Sequence, residues 1–399
     1  MAPISPGMKL CAISLLCALS APVTGAAAEI ATGSMLGPRY KAERFYIRAS
    51  RGAWAETYSA GQYKRTARGK LMMLRVSQGL FDDEWLTERK FDPDANTDAL
   101  IASLDDYKAH GVLAIGVSLQ GENPGYSAQA NGISRKGPAN DGEKLGRLVS
   151  AFESDGTVKA PWLARAQKLL KAADERGMVV CLTYFDPAQD EALENSRAIV
   201  AAVRNMTRWL VEQDFRNVVI EVANAWDLEG DTWDHRRFIP RNIANLVMEA
   251  REEFNGAAFT LPIGASTGGS LSYPNSLARV CDLVLLQGGG RSAGDKAKGV
   301  AQLSSYERAV WLVEDRNGDG VSQASLAQEF ASADALFREG AGWSYTPWPQ
   351  SLRFPFRYEP GESSVLDGSD DPEGAYFRAV LEHVASLVLK KPPTTLAKR

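Results

Sequence analysis

Apolar runs alternate with amphipathic segments along most of the chain, and each apolar run ends abruptly in polar residues. The clearest run covers residues 217–227, where three β-branched residues follow Asn217 and the apolar pattern breaks at Asn224. A second run, residues 309–315, also ends in acid, at Glu314 and Asp315. Buried strands that end in polar groups are typical of parallel α/β sheets, which carry their chemistry at the carboxyl edge.

Apolar runs of this kind alternate with helical patterns at spacings that suit βα units. The predicted strands cover 71–76, 112–119, 178–184, 217–224, 260–264, 282–286, 309–313 and 342–345. The pattern predicts an α/β protein, a (β/α)₈ TIM barrel over residues 68–390. A short N-terminal β-hairpin is expected within residues 29–67, and an enlarged loop of roughly 121–160 should follow strand 2.

A doubly wound open sheet would show the same alternation of strands and helices. That fold usually carries a glycine-rich phosphate loop after strand 1, and residues 76–81 (VSQGLF) do not supply one. The glycine cluster at residues 288–290 follows strand 6 and predicts a tight turn rather than a nucleotide site. The barrel is therefore the favoured architecture.

The first 28 residues have the pattern of a secretory signal peptide. Lys9 gives a short positive region, residues 10–19 are apolar but too short to span a membrane, and residues 26–28 are three alanines before Glu29. The sequence therefore predicts export to the periplasm or the medium. A buried N-terminal helix is the weaker alternative.

Composition removes several other classes of protein. The 45 basic residues are balanced by 49 acidic ones, and no basic block stands out, so nucleic-acid binding has no electrostatic support. Beyond the predicted signal, Cys181 and Cys281 lie in apolar surroundings and are expected to be buried free thiols. With these two cysteines and three histidines, no zinc site is predicted, and no cofactor is expected.

The predicted strand ends collect acids, amides and flat aromatic rings on one rim. Such rings stack on sugar faces, amides and acids bond hydroxyls, and a carboxylate pair can cleave a glycosidic bond, so a carbohydrate site is predicted. The candidate residues on strand ends are Arg75, Gln78, Asp82, Asp83, Gln120, Glu122, Tyr184, Asp186, Asn224, Asp227, Gln287, Glu314, Asp315, Arg316, Trp343 and Tyr345, and the loops add Trp226, Trp233, His235 and Trp348.

Four segments carry a resemblance to a known family. They are residues 76–83 (VSQGLFDD), 118–121 (SLQG), 220–224 (IEVAN) and 313–315 (VED). From about Phe45 through the last helix, the chain resembles clan A glycoside hydrolases, the group that includes the family 5 cellulase barrels. The resemblance implies that Asn224 binds near the sugar, that Glu314 is the nucleophile, and that Trp343 forms the floor of the sugar subsite.

The same resemblance exposes a departure at the position of the acid/base. The relatives have Glu after the strand 4 Asn, whereas this chain has Ala225, which cannot donate a proton. The relatives also tend to have His at the position of Gln287 and Asp-His at Arg316 and Asn317. A substitute acid could come from Asp227, Glu122 or Glu229, of which Asp227 is the first choice because it lies two residues from the lost position.

Two functions follow from these residues. The first is an exported hydrolase of a β-linked saccharide, impaired by Ala225, in which Glu314 is nucleophile or base and Asn224 holds the 2-hydroxyl. The rival is a carbohydrate-binding protein without catalysis, and a purely structural envelope protein is a weaker third idea. In either of the first two, sugar-binding groups are expected from Arg75, Gln78, Gln120, Glu122, Tyr184, Trp226, His235, Gln287, Trp343 and Tyr345.

Some polar residues also have structural interpretations. Glu314 could simply cap a neighbouring helix or pair with Arg75. Glu221 lies one layer deeper than Ala225 on the same side of its strand and is expected to be a buried acid held by Arg75 or a similar cation. Residues 315–320 (DRNGDG) match the start of a calcium loop, but Leu326 stands where the bidentate Glu should be, so a polar turn is favoured. His110 and His383 fall on predicted helices and are expected to be structural.

Overall fold

The structure of the protein is a computed structural model. It describes residues 29–32, 45–49, 52–59, 62–65, 72–82, 91–121, 149–187, 189–228, 240–257, 259–303, 306, 308–347, 350–351, 355–362 and 368–389, the residues of 29–65 and 240–241 by their backbone alone.

The main sheet consists of parallel strands that follow the order β10-β11-β12-β13-β5-β6-β7-β8-β9. The strands are β5 (Met72–Arg75), β6 (Ala114–Ser118), β7 (Val179–Phe185), β8 (Val218–Ala223), β9 (Ile263–Gly264), β10 (Ser266–Thr267), β11 (Leu283–Gln287), β12 (Ala309–Glu314) and β13 (Gly342–Tyr345). Only Ala265 separates β9, which pairs with β8, from β10, which pairs with β11. The two segments therefore occupy one strand position, and the sheet forms an eight-position, nearly closed barrel. The predicted TIM-barrel fold is confirmed.

Helices connect successive strands and pack on the outside of the sheet. They are α1 (Pro93–Ala109), α2 (Ala160–Glu175), α3 (Ser196–Glu212), α4 (Pro240–Glu252), α5 (Asn275–Ala278), α6 (Ala293–Leu303), α7 (Gln323–Glu339) and α8 (Pro372–Val388). Asp92, Asn195 and Ser322 begin their helices by accepting hydrogen bonds from first-turn backbone N–H groups. These caps satisfy donors that the helix itself leaves unpaired.

The N-terminal region forms a second sheet rather than the single hairpin predicted from the sequence. Its antiparallel strands are β1 (Glu29–Thr32), β2 (Phe45–Ala49), β3 (Gly52–Ser59) and β4 (Gln62–Arg65), paired in sequence order. The predicted signal peptide, residues 1–28, lies outside the described residues. No helix in the described part of the chain is long and apolar enough to span a bilayer.

Strand alternation divides the apolar core into two layers. Side chains that face the barrel axis form a compact inner cluster, which includes Met73, Val179, Val219, Leu285 and Trp311. Their neighbours along each strand pack outward against the helices in a much larger cluster. The free thiols predicted at Cys181 and Cys281 are confirmed, and both are buried.

Candidate functional site

Arg75 organises the polar layer above the inner apolar cluster. It lies at the carboxyl end of β5, and its Nη1 donates to Glu221 Oε2 at 2.9 Å. Thr183 Oγ1 donates to the same oxygen at 2.5 Å, and all three side chains are buried. The prediction that Glu221 is a buried acid held by Arg75 is confirmed. A buried cation placed here attracts further carboxylates, and Arg75 Nη2 lies 3.8 Å from Asp186 Oδ1.

Glu314 reaches the same guanidinium from β12, which is separated from β5 by β13 alone. Its Oε2 lies 3.5 Å from Arg75 Nε and accepts from Gln287 Nε2 at 3.2 Å. The pairing of β11 with β12 shifts at this point, so that Gln287 pairs with Glu314 whereas Leu286 pairs with Leu312. This irregularity re-aims the side chain after the inward-facing Val313. Unlike Arg75, the Glu314 side chain is 26% exposed and so is open to a ligand.

Asn224 links the two halves of this layer. Its Oδ1 accepts from Gln287 Nε2 at 2.6 Å and from Ser266 Oγ at 3.0 Å. Its Nδ2 donates to Asp186 Oδ1 at 2.8 Å. A continuous network therefore runs from Asp186 through Asn224 and Gln287 to Glu314. Because these bonds fix both ends of the amide, Asn224 is held in one orientation at the end of β8.

Ala225 follows Asn224 in an unusual backbone conformation. Its φ of 49° lies in the left-handed region, which alanine rarely adopts. Its N–H donates to Ser266 Oγ at 3.1 Å, and its side chain is buried. A Cβ added to Gly268 would lie 2.7 Å from the Ala225 Cβ, so the two chain segments approach each other closely. The position that the resemblance assigns to the acid/base is therefore occupied by a methyl group packed against the neighbouring strand end.

Asp227 is the described acid nearest in sequence to that position. Its Oδ1 accepts a short hydrogen bond from the backbone N–H of Gly268. Burial raises the pKa of this half-buried carboxyl above its usual value, although the backbone N–H groups of Gly268 and Ser270 oppose the shift. A raised pKa favours the protonated form, which a proton donor requires.

Three aromatic residues predicted to line the site face the helices instead. Tyr184 bonds Thr207 of α3 at 3.0 Å, and the Trp343 ring stacks on Tyr345 with centroids 6.2 Å apart. All three are buried. The prediction that Tyr184, Trp343 and Tyr345 face the sugar is wrong because alternation along β7 and β13 turns Thr183 and Ser344 inward in their place.

Three further candidates are buried close to the site. Gln120 forms hydrogen bonds with Ser150 Oγ, the Gln189 carbonyl and the Asp186 N–H, so its amide holds these chain segments together. Trp226 packs in the outer apolar cluster and its backbone N–H donates to the Ser266 carbonyl, so it does not present an open ring face. Gln78 is fully buried, and neither side-chain polar atom has a partner among the described residues.

Sequence reasoning missed two members of the network, Thr183 and Ser266. The signal for Thr183 was available, because a period of two along β7 puts Thr183 on the opposite face from Tyr184. Ser266 follows the break at Ala265 between β9 and β10, and no sequence pattern marked that break. Several other candidates lie outside the described residues, namely Asp83, Glu122, Glu229, Trp233, His235 and Trp348.

The turn that resembles a calcium loop uses its polar groups for other contacts. Asp315 is paired with Lys296, and Asp319 Oδ1 accepts from the N–H groups of Val321 and Ser322 before α7. These bonds lower the pKa of Asp319 to about 2. Within the described residues, no cluster of three or more His, Cys, Asp or Glu side chains could hold a metal ion.

Comparison with known proteins places the barrel among glycoside hydrolase structures. No protein-family model matches the chain, and no curated protein matches it in sequence. The structure is similar to Thermotoga maritima Cel5A in complex with a mannotriose substrate, with a TM-score of 0.50, 10% identity, and coverage of 79% of this chain and 97% of that one. It is also similar to the Prevotella bryantii endo-beta-mannanase/endo-beta-glucanase, with a TM-score of 0.51, 10% identity and 79% of this chain covered.

Some of these neighbours are considerably longer proteins. The chain spans 49% of the Prevotella protein and 59% of a tri-modular GH5 endo-beta-1,4-glucanase from Bacillus licheniformis. At such low identity the similarity concerns the fold. This chain has a barrel fold like that of the clan A glycoside hydrolases.

Proposed function

We propose that this protein is a hydrolase of β-linked saccharides in which Glu314 is the nucleophile and Asp227 is the proton donor. The observation that carries the proposal is the contrast between their environments. Glu314 lies beside a buried guanidinium and an amide donor, both of which favour its charged form. Burial raises the pKa of Asp227 and so favours its neutral form. Acid-assisted glycoside cleavage uses one charged and one neutral carboxyl group, and these environments support that division of roles.

The position of Glu314 supports its role as the nucleophile. It lies at the carboxyl end of β12, where barrel enzymes place their reacting groups, and part of its side chain is open to solvent. Arg75 also holds Glu221, so the guanidinium is kept in place whether or not a ligand is bound. This pre-organisation avoids reorienting the charge during the reaction.

Asn224 is suited to bind the sugar beside Glu314. An amide nitrogen carries two hydrogens, and Asp186 accepts only one of them. The second hydrogen could donate to a sugar hydroxyl, in agreement with the 2-hydroxyl role implied by the resemblance. Gln287 would then contact both the amide that holds the sugar and the carboxylate that attacks it.

The structural neighbours suggest which sugars to try first. Their names identify a mannotriose complex and an enzyme with both endo-beta-mannanase and endo-beta-glucanase activity. We therefore propose a β-linked mannan or glucan as the substrate class. We also propose that the protein is exported, on the basis of the signal-like pattern of residues 1–28.

One observation favours a second function. The buried methyl group of Ala225 stands where the resemblance expects an acid, and a saccharide could bind the same network without being cleaved. In that case the protein is a carbohydrate-binding member of a hydrolase fold.

Two measurements on the same preparation distinguish these functions. The first is release of dinitrophenol from dinitrophenyl β-cellobioside and β-mannobioside, and the second is calorimetric titration with cellohexaose and mannohexaose. Because an activated leaving group needs little protonation, Glu314 should release it even if the donor is weak. Steady turnover, or a burst of one equivalent of dinitrophenol, supports the hydrolase, and saturable binding with neither supports the binding protein. If both measurements are negative on these substrates, the proposed substrate class is wrong.

A further inference from the structure

A buried charged cluster lies directly behind Glu314, on the side of the strand that faces the helices. Its centre is Asp315, whose Oδ1 lies 2.7 Å from Lys296 Nζ of α6. Trp343 Nε1 of β13 donates to Asp315 Oδ2 at 2.9 Å. The side chains of Asp315, Lys296 and Trp343 are fully buried. Trp343, which was expected to form the floor of the sugar subsite, therefore donates a hydrogen bond to Asp315, the residue next to the candidate nucleophile.

The same lysine also holds the loop that leaves β12. Lys296 Nζ donates to Asn317 Oδ1 and to Ser332 Oγ of α7. Asn317 in turn donates from its backbone N–H and its Nδ2 to the carboxylate of Glu329, at 2.8 and 2.6 Å. The backbone on the C-terminal side of Glu314 is thus fixed to both α6 and α7.

The neighbouring strand end closes over Asp315 from the other direction. A Cβ added to Gly288 would lie 2.5 Å from Asp315 Oδ1, so only glycine fits there. The Gly288 N–H donates to the Glu314 carbonyl at 2.9 Å. Because Gly288 follows Gln287 directly, the anchoring of Asp315 also affects how Gln287 reaches the Glu314 carboxylate.

We propose that the Lys296–Asp315 ion pair is a positioning device for Glu314. The two acids are consecutive, and their side chains point to opposite sides of β12 after the irregularity at its end. Drawing Asp315 toward Lys296 therefore turns Glu314 toward Arg75. This inference rests on the proposed role of Glu314, and it adds residues that do not touch the substrate.

The energetics of buried ion pairs favour this interpretation over a purely stabilising one. Replacing such a pair by neutral groups is often neutral or even favourable for folding, because the charges lose their hydration when buried. A fixed pair does, however, enforce one local geometry. Because a small displacement of a reacting group can slow a reaction strongly, a fixed local geometry is the useful property of this ion pair.

The test compares the native protein with the double variant Lys296→Met/Asp315→Asn. This variant removes both charges together, so no unpaired buried charge is left, and the asparagine can still accept from Trp343. The single change Lys296→Arg keeps the charge and serves as the conservative variant. The matched control is Arg251→Met/Asp282→Asn, which removes another buried ion pair at the amino end of β11, remote from Glu314.

The first readout does not depend on turnover. Modification of Glu314 by a carbodiimide and an amine, quantified by peptide mass spectrometry across pH, reports the titration of this carboxyl. If Glu314 turns away from Arg75 in the double variant, its titration midpoint should rise by about one unit or more. Lys296→Arg should keep most of the native modification profile, and the control pair should leave that profile unchanged.

The second readout is the split between kcat and KM on dinitrophenyl β-glycosides. We expect the double variant to lose about 10- to 100-fold in kcat with little change in KM, because the nucleophile is misplaced while the sugar contacts remain. An unchanged modification profile in a folded double variant overturns the inference. If the native protein shows no turnover, the proposed function fails, but the modification profile still decides whether the ion pair positions Glu314.

Discussion

The ends of β8 and β12 are the two places where the resemblance expects a catalytic acid, and they are built very differently. At the end of β12, Glu314 is present, partly open, and held by Arg75 and Gln287. At the end of β8, Ala225 occupies the expected position in a left-handed conformation, and its methyl group is buried. Only one of the two ends keeps the expected acid.

The difference lies in the reacting group and not in the polar network around it. The neighbouring Asn224 bonds to Ser266, Gln287 and Asp186, although the residue after it is Ala225 rather than an acid. Burying this many polar groups has an energetic cost, which the hydrogen bonds of the network offset. We infer that the β12 end and Asn224 still serve a ligand, and that Asp227 supplies the missing proton.

The largest expected effect is that of Glu314→Gln, which removes the negative charge of this side chain at the end of β12 and keeps the shape of the side chain. We expect kcat on dinitrophenyl β-glycosides to fall by about 10⁴-fold, because the amide cannot attack the sugar. The matched control is Glu212→Gln, which makes the same chemical change at an exposed position near the end of α3. Unchanged turnover in Glu314→Gln would show that the β12 end is not the reacting one.

Asp227→Asn tests whether Asp227 is the proton donor, because the effect of losing a donor depends on the leaving group of the substrate. Loss of the proton donor should reduce cleavage of unactivated oligosaccharides by about 10²–10³-fold and leave kcat/KM on dinitrophenyl substrates nearly unaffected, because an activated leaving group needs little protonation. Steady-state kcat on dinitrophenyl substrates should fall, since the same residue must take the proton of the water that hydrolyses the glycosyl-enzyme. The rates on both substrate types are measured together, with the exposed Asp214→Asn as control. An equal loss of kcat/KM on both types would assign Asp227 a structural role through its bond to Gly268.

The cluster behind the β12 end should make stability depend on pH. Burial, and then the negative charge of Asp315, raise the pKa of Glu329 to about 7 from its ordinary 4.5, outweighing the bonds from Asn317 and the charge of Lys296. Between these values the native state binds more protons than the unfolded state, so the free energy of unfolding should fall as pH rises from about 4.5 to 7. The full shift corresponds to about 3 kcal/mol.

Urea unfolding at several pH values checks this dependence. Glu329→Gln should flatten the slope across that range, because the amide does not titrate. A slope that persists unchanged in the variant would assign the dependence to other groups.

The smallest expected effect is at the β8 end. Ala225→Gly should raise the free energy of unfolding by about 1 kcal/mol, because glycine adopts the left-handed conformation without steric cost. The control is Ala223→Gly, which lies in the regular part of β8 and should destabilise the protein. The urea midpoints of the two variants should therefore move in opposite directions, and a loss at both positions would contradict the strained turn.

The fold was predictable from the sequence because its signals are local and repeat along the chain. Each buried strand is a short apolar run such as that of β8, and each helix has an amphipathic pattern with a capping residue such as Asn195 or Ser322. The division of strand position 5 into β9 and β10 was not predictable, since it follows from pairing with two different neighbours.

The site was predictable only where strand alternation is regular. Glu314 and Asn224 were identified from their positions at strand ends, and Arg75 with Glu221 from the charge balance that burial requires. The prediction placed Trp343, Tyr345 and Tyr184 on the wrong face of the sheet. It followed the resemblance or the polarity of these residues rather than the alternation of inward and outward positions along the strand. The shifted pairing before Glu314 depends on contacts between strands, which one sequence does not show.

The most direct test of the central claim is covalent trapping of the nucleophile. The protein is incubated with dinitrophenyl β-cellobioside and β-mannobioside analogues in which fluorine replaces the hydroxyl at the second carbon of the sugar bound at the cleavage site. Fluorine destabilises the positively charged transition states, and the good leaving group lets the first step proceed, so a glycosyl-enzyme adduct accumulates. We predict an adduct of one fluorinated disaccharide on the peptide that contains Glu314, located on that residue by fragmentation. An adduct on another carboxylate, or turnover of the unmodified substrates with no adduct at Glu314, would contradict the account.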